Sequence, residues 1–343
     1  MCYNTLMIYT KEKLDQLKRR WLTTRGKRLL RTVKNSRCYL NPVTFREKVR
    51  NLPGINDHEL EGCVDLRGAD LCGFDFRTAV QENDDGFSEK IAILSNIHFE
   101  GATLKHCDFQ EGKIHDCFFE NANLEHSDFK NASINNSSFV DADCIGVDLH
   151  SAKLINCNFF GATIKDITLG ATIVDQKTSF GKELRSEKEG NFHAASMEYK
   201  QIKEMYKNSS LNGIADFYHY REMVAKRKII KITNPTRWVS YVFGDLLCRY
   251  GTSFVRVFIA SILIVSVFAY IFSSTESLLF LNKEVSASFI DSLYFSISTF
   301  TTLGYGDFHA IGLARFVAGF ESFVGMTLIS LFTVIVARNV IRD

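Results

Sequence analysis

The 343 residues carry a formal net charge of +2, and that near-neutral total hides an uneven distribution. Residues 1–50 hold fourteen Lys or Arg against three acids, whereas residues 51–180 hold nine against twenty-two. The nine cysteines follow no metal-ligand or disulfide spacing, and no His/Glu cluster, nucleophile constellation or phosphate loop occurs, so neither enzymatic activity nor a cofactor is expected.

Residues 1–61 read as a basic helical segment. Met1 to Thr10 lacks the continuous apolar run of a secretory leader. The charge from Lys11 to Arg37 suits anionic lipid or an acidic neighbour, and a plain solvated helix fits equally well.

From Leu94 to Val174 every fifth residue is apolar: Leu94, Phe99, Leu104, Phe109, Ile114, Phe119, and so on through Phe139, Cys144, Leu149 and Phe159. Two positions before each centre the residue is usually small, as at Ala102, Cys107, Gly112, Cys117 and Ala122. Neither the helical period of about 3.6 nor the strand period of about 2 produces this. A short fixed period means a solenoid whose units bury their faces on one another. The pattern resembles the pentapeptide-repeat family. That resemblance implies a right-handed quadrilateral β-helix over residues 62–180, with four repeats per turn.

Phe99, Phe119, Phe139 and Phe159 should then stack on one wall, with Phe109 and Phe129 opposite. Leu66, Leu71 and Phe76 read as an earlier partial turn, and Arg77 to Lys90 as a protruding loop. Cys107, Cys117 and Cys157 take small inward positions and Cys144 a centre, as core filling in a reducing cytosol. Acidic members of that family resemble DNA in shape and charge. An acidic DNA-mimic module on a membrane anchor is thus a rival for this half, although no nucleic-acid partner is expected.

Residues 181–234 read as a helical linker. Tyr199, Ile202, Met205 and Tyr206 stand at helical spacing, and Asn212-Gly213 marks a turn. Residues 235–251 begin with Pro and hold Trp238, Tyr241 and Phe243, which suits a helix lying in a membrane interface.

Residues 252–343 carry two apolar runs, Phe254 to Phe272 and Ile311 to Ala337, near the roughly 20 residues that cross a bilayer core. Lys226, Arg227, Lys228, Lys231, Arg237 and Arg249 precede the first run, and Arg338 and Arg342 follow the second. Only Lys283 is basic between Ser273 and Asp307. The positive-inside bias puts both ends on the cytoplasmic side of a plasma membrane. Between the runs, Asp291 to Thr301 forms a short amphiphilic segment leading into Thr302-Leu303-Gly304-Tyr305-Gly306-Asp307.

This arrangement resembles the two-transmembrane-helix potassium channels, in which Val more often stands at the Leu303 position. It implies an all-α membrane pore domain with two transmembrane helices and a re-entrant pore helix, assembled as a homotetramer in the lipid bilayer. The permeant K+ would be held by the backbone of Thr302, Leu303, Gly304, Tyr305 and Gly306. Asp307 would sit at the outer mouth, Tyr294 and Ser298 would hold the filter from behind, and Gly325 would be the gate hinge. For Tyr294 and Ser298 ordinary packing reads equally well, as does a packing glycine at Gly325. Glu321, an acid in a membrane helix, is a functional candidate, with a hydrogen bond to the back of the pore helix as the plainer reading.

The expectation is a multidomain, potassium-selective channel whose pentapeptide-repeat domain is regulatory or a scaffold. A non-conductive membrane-tethered scaffold is the alternative. With the inner helix ending near Asp343, regulation is expected to enter from the N-terminal side.

Overall fold

The computed structural model describes residues 10–35, 64–77, 93–275, 278–280, 283–284 and 288–342. Most of the expected loop from Arg77 to Lys90 falls outside them. Contacts divide the chain once, into Met1–Ile229 and Ile230–Asp343.

The first unit opens with two helices, α1 (Lys11–Leu22) and α2 (Thr24–Asn35). They are not a free basic arm. Trp21, Leu29 and Val33 join the core that continues through Leu66 and Leu71. Arg20 is fully buried and grips Asp65, and Gly68 lies so close to the Leu17 backbone that a Cβ there would collide with it.

The solenoid follows. A parallel sheet is built from β2 (Ile93–Ser95), β4 (Lys113–His115), β5 (Ser133–Asn135), β6 (Lys153–Ile155) and β7 (Ile173–Val174), with Leu94, Ile114, Ile134, Leu154 and Val174 in register. A shorter pair joins β1 (Val64–Asp65) to β3 (Ile97–His98). Successive coils are tied by backbone bonds such as Phe119 N–H to the Ser138 carbonyl at 2.7 Å. The five strands mark about four turns, as the five-residue period predicts.

The aromatic ladders are present. Phe99, Phe119, Phe139 and Phe159 stack at centroid spacings of 5.0, 4.7 and 4.5 Å. Phe76, Phe109 and Phe129 form the facing ladder at 4.4 Å each. The first ladder also runs one rung further than the strict period, because Phe180 stacks on Phe159 at 4.6 Å. One extra residue enters between Val174 and Phe180, where Asp175 Oδ1 accepts from the Thr178 N–H and hydroxyl and closes a wider turn. Cys107, Cys117, Cys144 and Cys157 are buried among these centres.

Each corner of the coil is left-handed. Every fifth residue from Asn96 to Ala171 has φ between 51° and 73°. Asn, Asp, Gly and His dominate these positions, since they bear that conformation at least cost.

The C-terminal end of the coil is closed by helices. After a short α3 (Arg185–Lys188), α4 (Phe192–Asn208) and α5 (Asn212–Ile229) form a hairpin. Tyr206 donates to the Thr178 carbonyl at 2.6 Å and Tyr218 to the Gly181 carbonyl at 3.0 Å. Their side chains thereby satisfy groups of the last coil, as a capping element must. Asn212-Gly213 starts α5 and is not the turn, which lies at residues 209–211.

The second unit begins with α6 (Pro235–Val239), where Pro235 occupies the first turn and the Asn234 side chain caps the Thr236 N–H at 3.0 Å. It continues as a π-helical stretch, Ser240–Leu246, and Trp238 and Val239 of α6 are exposed together with Phe243 of that stretch. Two helices, α7 (Phe254–Ser274) and the long α9 (Ala314–Arg342), are long and apolar enough to span a bilayer. The 12-residue α8 (Phe289–Phe300) lies between them in sequence and packs on both.

Candidate ion-conduction site

The site is organised by α8. Ser288 and Asp291 form a reciprocal capping box, with Ser288 Oγ accepting from the Asp291 N–H at 3.2 Å and Asp291 Oδ2 from the Ser288 N–H at 3.0 Å. This fixes the helix start two residues before Asp291. At its other end the Thr302 N–H donates to the Thr299 carbonyl at 3.1 Å and the Leu303 N–H to the Ser298 carbonyl at 3.0 Å. The chain leaving the helix is therefore held to its last turn.

From there the backbone alternates in hand. Thr302, Gly304 and Gly306 have φ of 58°, 57° and 80°, and Leu303 and Tyr305 between them do not share the left-handed region. Glycine carries two of the three left-handed positions at no steric cost. Alternating handedness turns successive peptide groups toward one side, the arrangement that collects like dipoles around an ion. The negative end of the α8 dipole adjoins this segment.

The flanking residues fall close by. Tyr294 stacks with Tyr305 at 6.4 Å and meets Phe308 edge-on at 6.0 Å, with its hydroxyl beside the Asp307 carboxylate. Asp307 Oδ1 accepts from the Phe308 N–H at 3.0 Å. Ser298 is buried and serves the segment through its backbone carbonyl. Leu303 and Tyr305 are 60% and 68% exposed in the single chain. A small antiparallel sheet brackets α8 and the segment: β8 (Leu278–Phe280) lies between β9 (Lys283–Glu284), both before α8, and β10 (Phe308–Ala310), which follows the segment; it has no sequence signature.

Glu321 is fully buried and hydrogen-bonded to Ser296 of α8, which is the plainer of its two readings. Ser296 escaped the sequence reading, since a serine in an amphiphilic helix carries no mark of its partner. Gly325 packs against the end of α8, and a Cβ there would run into the Phe300 carbonyl. Close approach accounts for this glycine.

Residues 253–342 match the family model described as "Ion channel". Residues 92–121 and 127–166 match that for pentapeptide repeats, in eight copies. Solved structures similar to the chain include a pentapeptide repeat protein from the Arabidopsis thaliana thylakoid lumen, at 26% identity and a TM-score of 0.22 over 26% of this chain. The match spans 61% of that protein's length. Another is the pentapeptide repeat protein Rfr23 from the cyanobacterium Cyanothece, at 17% identity and a TM-score of 0.18, covering 35% of this chain and 89% of that one. No curated protein matches the chain significantly. The chain carries a domain similar to those of ion channels, with two helices long and apolar enough to span a membrane. It joins a two-helix ion-channel domain to a pentapeptide-repeat solenoid.

Proposed function

We propose that the chain is one quarter of a potassium-selective channel, a homotetramer conducting K+ passively across the plasma membrane with both ends cytoplasmic. The observation that carries this reading is the alternating backbone from Thr302 to Gly306. It is tied to a short helix packed on two membrane-length helices, and its two outward side chains stand exposed in the single chain. Four such segments around one axis would replace the hydration shell of K+ with carbonyl oxygens and cover Leu303 and Tyr305. In this reading Asp307 rings the outer mouth, and Tyr294 and Ser298 support the filter.

The solenoid is then a regulatory or scaffolding attachment. The basic outer surface of α1 and α2, where Lys11, Lys18, Arg19, Arg25, Lys27, Arg28 and Arg31 are exposed, suits anionic lipid. Potassium flux into liposomes containing the purified tetramer tests the proposal. Flux above protein-free liposomes supports it, and a well-formed tetramer without flux favours a non-conductive scaffold.

A further inference from the structure

Three residues of α9 touch the C-terminal half of α8. Glu321 meets the Ser296 hydroxyl, Ser322 Oγ donates to the Thr299 carbonyl at 3.1 Å, and Gly325 lies against the Phe300 carbonyl. Positions i, i+1 and i+4 of one helix thus face positions 296, 299 and 300 of the other. Ser296 Oγ also stands 2.9 Å from the Val265 carbonyl of α7; its single proton goes to Val265 or to Glu321, and either way one fully buried hydroxyl contacts α7 and α9 from α8. The Thr299 carbonyl that receives Ser322 also receives the Thr302 N–H. One carbonyl therefore carries both the α9 contact and a bond to the first left-handed residue.

We infer that Ser296 is a positioning residue for the conduction segment, and that α9 acts on conduction through α8 rather than by pivoting freely at Gly325. The inference rests on the channel reading. Apolar helices slide past one another at small cost, because lipid offers them the same contacts as a neighbour does. A polar pair buried between them has no such freedom, since separation leaves donor and acceptor unmatched in a medium without water. A pivot at Gly325 would drag the Phe300 carbonyl, and movement at Glu321 would drag Ser296. Either motion is delivered to the turn that positions Thr302.

The test is recording from full-length channels in planar bilayers, with Ser296→Ala, Ser296→Thr and Ser322→Ala beside the wild type. Loss of the hydroxyl in Ser296→Ala should lower the K+ to Na+ permeability ratio or the open probability by about fivefold, the size of one hydrogen bond. Ser296→Thr, which keeps the hydroxyl, should restore the wild-type values. A tetrameric Ser296→Ala channel with both quantities within about twofold of wild type would overturn the inference. If Ser296→Ala does not assemble, Ser322→Ala bears the same test, because it removes only the bond to Thr299. A wild-type tetramer without current would overturn the channel reading, and this inference with it.

Discussion

Arg20 and Asp65, 45 positions apart, form a buried bidentate ion pair with N···O distances of 2.6 and 2.7 Å. Arg20 and the Trp21 indole also donate to the Arg67 carbonyl, at 2.8 and 2.7 Å, while Arg67 Nε reaches Asp65 at 3.0 Å. This knot makes the basic hairpin an integral cap of the first coil.

Removing one partner should therefore be costly. Arg20→Met leaves the buried Asp65 carboxylate to Arg67 alone and should destabilise the repeat unit by up to about 3–5 kcal/mol, with Arg20→Lys, which keeps a charge there, losing less. Denaturant unfolding of residues 1–229 measures both. Burial alone would raise the Asp65 carboxyl, but the hydrogen bonds and charge of Arg20, then Arg67, hold it well below the usual carboxylate range. Its contribution is complete above the ordinary Asp value near about 4 and fades only as pH falls toward the depressed folded value.

Phe139 sits in mid-ladder between Phe119 and Phe159. Phe139→Ala leaves a cavity that neighbouring coils cannot close without losing their register. The expected cost is about 3–5 kcal/mol in the same unfolding experiment. A loss under about 1 kcal/mol would mean that the rings do not carry the coil.

Glu120 gives a pH dependence of opposite sign. Burial first, and the neighbouring Glu100 second, push its carboxyl up to about 7, against a hydrogen bond from Ser138. A carboxyl raised in the folded state stabilises below its unfolded value, and that stability is lost as pH rises through the folded value. The solenoid should weaken by up to about 3 kcal/mol between about pH 5 and pH 8. Glu120→Gln should flatten this slope. Identical slopes in the two proteins would contradict the assignment.

The single division of the chain at Ile229 and Ile230 suggests where regulation by the solenoid can be tested. Deleting residues 1–229 should leave a tetrameric pore with altered open probability. A coupling of about 1–3 kcal/mol corresponds to about 5- to 150-fold. Matching single-channel records would make the solenoid a scaffold.

The sequence exposed whatever repeats or lies within one helix of its partner. Phe99, Phe119, Phe139 and Phe159 recur at a fixed interval, so their ladder was legible. The left-handed corners at Asn96, Gly101, His106 and Asp116 were seen only in the structure, although Asn, Asp, Gly and His recur there. Phe180 was not legible, because one inserted residue breaks the count. Pairs joined only by folding left no trace: Arg20 with Asp65, or Ser296 with Glu321. Glu321 stood out because an acid is costly in a membrane helix, whereas Ser296 is chemically unremarkable until its neighbours are known.

The reversal potential of the wild-type channel under opposed potassium and sodium gradients tests the central claim most directly. If the carbonyls of Thr302, Leu303, Gly304 and Tyr305 face one axis, the current should reverse close to the potassium equilibrium potential. Reversal midway between the potassium and sodium values would contradict potassium selectivity, leaving a cation pore that does not distinguish the two ions.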